Sequence, residues 1–264
     1  MYEFNYHKAG SVADAAAKVA GADDGTLMAG GMTLIPTLKQ RLAMPSDVVD
    51  IGQLGDLKGI SVAGDKVSIG SMTTHDTVAN SADVQGAIPA LASLAGGIGD
   101  PMVRNRGTMG GSVANNDPAA DYPGAVLGLG ATVVTDKREI AGDDFFTGMF
   151  ETALDEGEII TRIDFPVPAK AAYAKFPNPA SRYAIVGVFV AQTAGGVRVA
   201  VTGAGGTAFR ATAMEDALNA NFSASALDGI SVPADGLNQD IHASAEYRAH
   251  LIGVMAMRAV EACG

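Results

Sequence analysis

Two adjacent glycine pairs, Gly30-Gly31 and Gly110-Gly111, constrain this chain more than any other feature, because each precedes helical apolar spacing. The longer segment around the second pair, 97–124, reads GIGDPMVRNRGTMGGSVANNDPAADYPG and lies between two apolar helical patterns. Little bulk flanks the pair in Thr108-Met-Gly-Gly-Ser112, so the backbone there can take φ > 0 and let a ligand approach its N–H groups closely. An anion such as a pyrophosphate suits that geometry. Asp117-Pro118 and Asp121 follow, with Tyr122-Pro123 offering a helix start, and a carboxylate beside a phosphate cradle suits sugar hydroxyls. On this stretch alone, a glycine-rich connection without a ligand fits equally well.

The first pair sits in a run that reads strand, helix, strand, helix, strand. Residues 3–7 alternate, and Ser11-Val-Ala-Asp14 has the form of a helix N-cap with an acid at the fourth position, opening an alanine-rich helix to about Ala20. A short apolar strand over 26–29 runs into Gly30-Gly31-Met32-Thr33, and 34–42 carries helical apolar spacing with Lys39 and Arg41 near its end. This turn offers N–H groups at a helix start but lacks the lysine and spacing of a P-loop and the G-x-G-x-x-G of a Rossmann turn. A purely structural turn is at least as good an account of it. Residues 48–51 read as the third strand.

Further on, 60–63 and 67–70 predict a hairpin turned at Gly64-Asp65. Ser71-Met-Thr-Thr-His75 enters a short helix, and His75 has no histidine or cysteine near it at metal spacing, so a solvated or hydrogen-bonded role is expected. Helices over 88–94 and 125–129 flank the glycine segment, and strands follow near 131–134 and 158–165. Pro166-Val-Pro168 is the clearest boundary. It divides the chain into 1–168, with parts at about 1–56 and 57–168, and 169–264. Beyond it, 173–176, 184–191 and 197–201 predict a three-stranded antiparallel sheet whose continuous apolar strand is covered on both faces. Helices over 212–219, 223–227 and 244–262 supply the cover.

Composition excludes several classes of partner. A net charge of −11 with no basic block opposes nucleic acid and acidic membrane surfaces. The single cysteine, Cys263, cannot form an internal disulfide or the four-cysteine set of an iron–sulfur cluster. No apolar run reaches membrane-spanning length and the first residues do not read as a signal peptide, so the expected location is the cytoplasm.

Taken together, the glycine pairs resemble the signatures of one family. Ala29-Gly-Gly-Met-Thr-Leu-Ile-Pro36 is similar to A-G-G-x-[ST]-L-[LI]-P, and Val103-Arg-Asn-Arg-Gly-Thr-Met-Gly-Gly-Ser-Val-Ala114 to V-R-N-x-G-T-x-G-G-[NSD]-[IV]-A. Both belong to the FAD-binding medium subunits of the molybdenum hydroxylases, the group of carbon monoxide dehydrogenase and xanthine dehydrogenase relatives. The resemblance spans essentially the whole chain. It implies an α+β fold, with a two-part FAD-binding domain of the PCMH (vanillyl-alcohol-oxidase-like) type followed by the antiparallel sheet and helices.

The resemblance also implies roles. Ala29, Gly30, Gly31, Met32 and Thr33, with Thr108, Met109, Gly110, Gly111 and Ser112, would hold the FAD pyrophosphate through backbone N–H groups and the threonine hydroxyls. Asn115 and Asp121 would contact polar parts of the nucleotide, Asp121 the ribose. Ile160 would lie at the ring system and Lys175 near the flavin's polar edge, where its charge would favour the reduced flavin. Tyr183 would pack beside the isoalloxazine. Arg104 and Arg106 are expected to brace the loop rather than pair with phosphate. Met32 replaces a commonly polar residue, and 176–183 departs from the family's basic motif, which affects the local flavin contacts and leaves the loops intact.

FAD would be bound without a covalent link, with no catalytic acid or base and no metal in this chain. Two [2Fe–2S] clusters on a small partner subunit would deliver electrons, and a large partner subunit would carry the molybdenum cofactor, in a dimer of heterotrimers. A stand-alone FAD-dependent oxidoreductase would need its own substrate acid or base near the ring. A non-redox nucleotide-binding assembly protein would carry no flavin colour.

Overall fold

The computed structural model describes residues 1–264 and arranges them about three sheets that each cover a core. The first comprises β1 (Asn5–Lys8), β2 (Gly25–Met28) and β3 (Asp47–Asp50), parallel in the order β1-β3-β2, with α1 (Val12–Ala20) and α2 (Leu34–Lys39) as crossovers. Parallel neighbours require such crossovers, so the alternation of strand and helix read from the first fifty residues is what the sheet needs. Ser11 caps α1 by accepting from the Asp14 N–H, and Asp14 in turn accepts from the Gly10 N–H. The strand interior is closed by Val48 and Val49.

The second sheet runs β4-β5-β10-β6-β7 with antiparallel pairs throughout. Its hairpin of β4 (Ile60–Ala63) and β5 (Lys66–Gly70) turns at Gly64, whose φ of 61° suits glycine. Six helices follow: α3 (His75–Asn80), α4 (Ala82–Ala87), α5 (Pro89–Gly96), α6 (Pro101–Arg104), α7 (Met109–Asn115) and α8 (Tyr122–Leu129). Next come β6 (Thr132–Thr135), β7 (Glu139–Ala141), α9 (Gly142–Phe145), the small hairpin of β8 (Phe146–Gly148) and β9 (Glu151–Thr152), and β10 (Ile160–Pro166). Every residue of α8 is buried, as its unbroken apolar sequence requires. The glycine segment is not simply a connection between helices. Two short helices, α6 and α7, form within it because the Asp100 carboxylate accepts from the Val103 N–H and the Thr108 hydroxyl accepts from the Gly111 N–H.

The third sheet has four strands where three are expected: β11 (Lys170–Pro177), β12 (Ala184–Thr193), β13 (Gly196–Thr202) and β14 (Phe209–Arg210). The added strand is two residues long, paired to Ala200 and Val201, too short to leave an alternation in the sequence. After it come α10 (Thr212–Ala220) and α11 (Ala245–Ala262), while 224–227 closes into a 3₁₀ turn rather than an α-helix. The apolar β12 is covered on both faces. Val186, Val188 and Val190 join Ile252 and Met255 of α11, whereas Phe189 and Ala191 join Ala125 and Leu129 of α8. Each such side chain contributes roughly 1.5–3 kcal/mol by burial. No helix is long and apolar enough to cross a membrane.

Candidate cofactor site

A cleft of about 540 Å³ runs between the turn joining β2 to α2, the segment 71–75, helix α7, the start of β10 and the hairpin turn at 181–183. The two glycine-bearing loops meet at this cleft. A Cβ placed on Gly30 would lie 1.8 Å from the Arg106 carbonyl oxygen and 3.2 Å from Gly107 Cα, so only a glycine lets the two loops meet. Gly111 faces Ala29 at the same junction, its added Cβ 3.5 Å from the Ala29 Cβ.

Across this junction the two pairs are used differently. Gly31 has φ of 74°, and the backbone N–H groups from Ala29 to Leu34 donate no hydrogen bond within the protein. They form a run of free donors on the cleft wall. Gly110 and Gly111 do not take the φ > 0 expected for them, because they lie inside α7. Their donors are spent: Met109 N–H bonds the Thr73 carbonyl, Gly110 N–H the Ser71 carbonyl at 2.8 Å, and Gly111 N–H the Thr108 hydroxyl. Gly110 is required by packing, since its added Cβ would lie 2.5 Å from Ser71 Cβ and 2.8 Å from Ser71 O.

The cleft brings together Ala29, Gly30, Gly31, Met32, Thr33, Thr108, Gly110, Gly111, Ser112, Asn115, Asp121, Ile160 and Tyr183. Ser112 and Asn115 are half-buried there, and neither side chain has a hydrogen-bond partner in the protein. Met109 and Lys175 do not line it. Met109 is fully enclosed in the core behind α7. The Lys175 ammonium donates to the Gly97 carbonyl at 2.9 Å and to the Asp121 carboxylate at 3.0 Å. Tyr173 donates to the other Asp121 oxygen. Burial pushes the Asp121 carboxyl up, against the pull of the Lys175 ammonium and the Tyr173 hydroxyl. Asp121 thus lines the cleft, but both its oxygens are bound to the third sheet, which ties the start of α8 to β11.

Arg104 braces the loop as expected, donating to the carbonyls of Ile98 and Gly99 at 3.0 Å. Glu158 is enclosed beneath Ile159 and Ile160, held near a pKa of about 2 by Arg138, whose guanidinium lies 2.9 Å away. His75 corrects the expectation of a solvated or hydrogen-bonded side chain. It is 5% exposed, its imidazole has no hydrogen bond, and burial with the Arg104 charge lowers its pKa to about 4. Asp117, the other carboxylate read beside the cradle, lines the cleft, and so do Ser71, Ile98 and Ser181, none of which the sequence assigned to the site. Of these, only 71–75 carried a local signal, its run of hydroxyls before a histidine.

A profile described as "FAD binding domain in molybdopterin dehydrogenase" matches residues 2–168, and one described as "CO dehydrogenase flavoprotein C-terminal domain" matches residues 171–263. The chain belongs to the FAD-binding medium subunits of the molybdenum hydroxylases. This medium subunit is 34% identical to the nicotine 6-hydroxylase medium subunit of Paenarthrobacter nicotinovorans, covering 98% of this chain and 96% of the relative. It is 35% identical to the carbon monoxide dehydrogenase medium chain of Afipia carboxidovorans, with the same coverage of 98% and 96%. A solved carbon monoxide dehydrogenase from Hydrogenophaga pseudoflava, lacking the Mo-pyranopterin moiety, superposes with a TM-score of 0.90 at 34% identity, over 99% of this chain and 97% of that one. The protein is therefore an FAD-carrying oxidoreductase subunit of a molybdenum hydroxylase complex.

The residues present fit FAD. The free N–H groups of 29–34 suit an anionic diphosphate, the glycine junction admits it against backbone, and the unpaired Ser112 and Asn115 side chains can meet sugar or base. When bound, FAD supplies one- and two-electron redox chemistry, which no side chain of the cleft provides.

Proposed function

We propose that this subunit holds FAD non-covalently across the cleft and relays electrons from [2Fe–2S] clusters on a small partner subunit to an external acceptor. The observation that carries the proposal is the run of undonated N–H groups at 29–34, lining one cleft with the unpaired Ser112 and Asn115 side chains. The 29–34 backbone binds the diphosphate, with the Thr108 hydroxyl and Ser112 beside it, and Ile160 and Tyr183 wall the ring system and limit water. Lys175 holds Asp121 in place, so its effect on the cleft passes through that carboxyl group. No group in the cleft is needed as a substrate acid or base.

A large partner subunit with the molybdenum cofactor carries out substrate oxidation in this reading, and the assembly is a dimer of heterotrimers in the cytoplasm. The relatives' names as medium chains of carbon monoxide dehydrogenase and nicotine 6-hydroxylase support the presence of further subunits. The chain divides at Pro166-Val-Pro168 into 1–168, with parts at about 1–56 and 57–168, and 169–264. Each of the three sheets falls within one of these parts, which supports the division.

Acid precipitation of the purified chain should release one FAD per chain into the supernatant. Flavin retained in the pellet would mean a covalent link. A purified and FAD-supplied chain that binds none would favour the non-redox assembly role, and substrate turnover by the isolated chain would favour a stand-alone flavoenzyme. Co-expression with neighbouring genes and a tag on this chain should recover the cluster-bearing and molybdenum-bearing subunits together.

A further inference from the structure

We infer that His75 donates a hydrogen bond from Nε2 to the FAD, at an oxygen of its diphosphate. The inference rests on the FAD reading above and assigns a side chain to it that neither glycine signature contains. His75 opens α3, and its ring is fixed by Tyr122, 5.3 Å away between centroids, and by Gly107, on which an added Cβ would lie 2.6 Å from Nε2. Its own backbone N–H bonds the Gly107 carbonyl at 3.0 Å. The ring therefore cannot turn freely to find a partner.

Neither ring nitrogen has one. Nδ1 is enclosed without a hydrogen bond, whereas Nε2 is not enclosed and the residue lines the cleft. The imidazole is neutral at pH 7 and carries one N–H. With the proton on Nδ1, an enclosed donor would have no acceptor, which costs about 1–3 kcal/mol. With the proton on Nε2, only a lone pair is left enclosed, a deficit proteins tolerate more readily than an orphaned N–H, and the donor points to the open side. Burial thus selects the tautomer that presents Nε2–H to a ligand.

Location selects the acceptor. Gly107, which supports the ring, also abuts Gly30, whose added Cβ would be 3.2 Å from Gly107 Cα. The His75 donor consequently shares a wall with the 29–34 N–H run, the part of the cleft suited to an anion. A neutral donor extends that run without placing a second cation beside Arg104. Ser71 Oγ is a second enclosed polar atom without a partner, on another residue lining this cleft.

The test uses the full chain freed of flavin, with wild type, H75Q and H75L titrated with FAD by flavin fluorescence and with ADP by calorimetry. Gln can place an amide N–H near the Nε2 position, and Leu cannot donate. H75L should weaken FAD and ADP alike by about tenfold, with H75Q within about threefold of wild type. FAD binding by H75L as tight as wild type would overturn the inference. So would a loss for FAD with none for ADP, which would put the contact on the flavin half. Should H75L fail to fold by circular dichroism, nitrogen-15 NMR of wild type decides: a proton on Nε2 whose resonance moves on adding ADP supports the contact, and a proton on Nδ1 overturns it. Wild type binding neither FAD nor ADP would sink the FAD reading itself, an outcome distinct from a failure confined to the His75 variants.

Discussion

The two glycine pairs look alike in sequence and do opposite work. Gly30-Gly31 bends out of β2 with its N–H groups unclaimed, while Gly110-Gly111 lies inside α7 with the Gly110 N–H bonded to Ser71, the Met109 N–H to Thr73 and the Gly111 N–H to the Thr108 hydroxyl. One is the donor surface of the cleft. The other is the buttress that sets its shape, itself anchored through α8 and Asp121 to the third sheet. A glycine pair therefore says only that backbone comes close to something; in the first case the Arg106 carbonyl across the junction, in the second Ser71.

Changes on the buttress side should damage the fold, and changes on the donor side should cost flavin first. The largest effect is expected for Lys175→Met, which leaves the Asp121 carboxylate enclosed without its cation and should destabilise by about 3–5 kcal/mol in urea unfolding. A loss below about 1 kcal/mol would show that Asp121 is not held by this pair. Gly110→Val should cost about 3 kcal/mol by forcing a branched side chain into the Ser71 backbone, with flavin and melting temperature lost together. A Gly110→Val chain with wild-type melting and no flavin would make Gly110 a cofactor contact rather than a packing position.

A pH titration probes the wall between the pairs. His75 titrates at about 4 when folded against an ordinary 6.5, so between those values the unfolded chain binds a proton that the native one does not. Stability should fall by about 2–3 kcal/mol as pH drops from 6.5 to 4 and level off for this group below 4. H75Q should remove that portion of the slope. An unaltered slope in H75Q would assign the pH dependence elsewhere.

Gly31→Ala should cost only about 1 kcal/mol of stability, because its φ of 74° strains alanine while the added Cβ meets only the movable Ile35 side chain. Its flavin affinity should nevertheless drop, and retained affinity would move the diphosphate off 29–34. The smallest contrast is between the threonines. Thr108→Ala removes a helix cap and should cost about 1 kcal/mol, whereas Thr33 makes no capping bond and Thr33→Ala should alter stability by less than about 0.5 kcal/mol. Equal costs would erase the distinction between the two turns.

Much of this was legible in local pattern. The parallel β1-β3-β2 unit, the Gly64 hairpin, the doubly covered β12 and the loop signatures each depend on residues close together in the chain. Misread features depend on contacts made later. The strand β14 is recognisable only by its pairing with Ala200 and Val201, and α6 and α7 only once Asp100 and Thr108 cap them. The pairing of Lys175 with Asp121, 54 positions away, likewise leaves no mark along the chain.

The sequence by itself determined where backbone could approach a ligand: glycine has no Cβ, and that property is local and independent of the fold. Tertiary structure decided which of those approaches a ligand could use. The acceptors that consume the Met109 and Gly110 N–H groups come from Thr73 and Ser71, and His75 is neutralised by burial, with Tyr122 against its ring, and by the Arg104 charge. Hydrogen-bond satisfaction and desolvation are sums over neighbours in space, so no reading along the chain could divide the donors into free and spent.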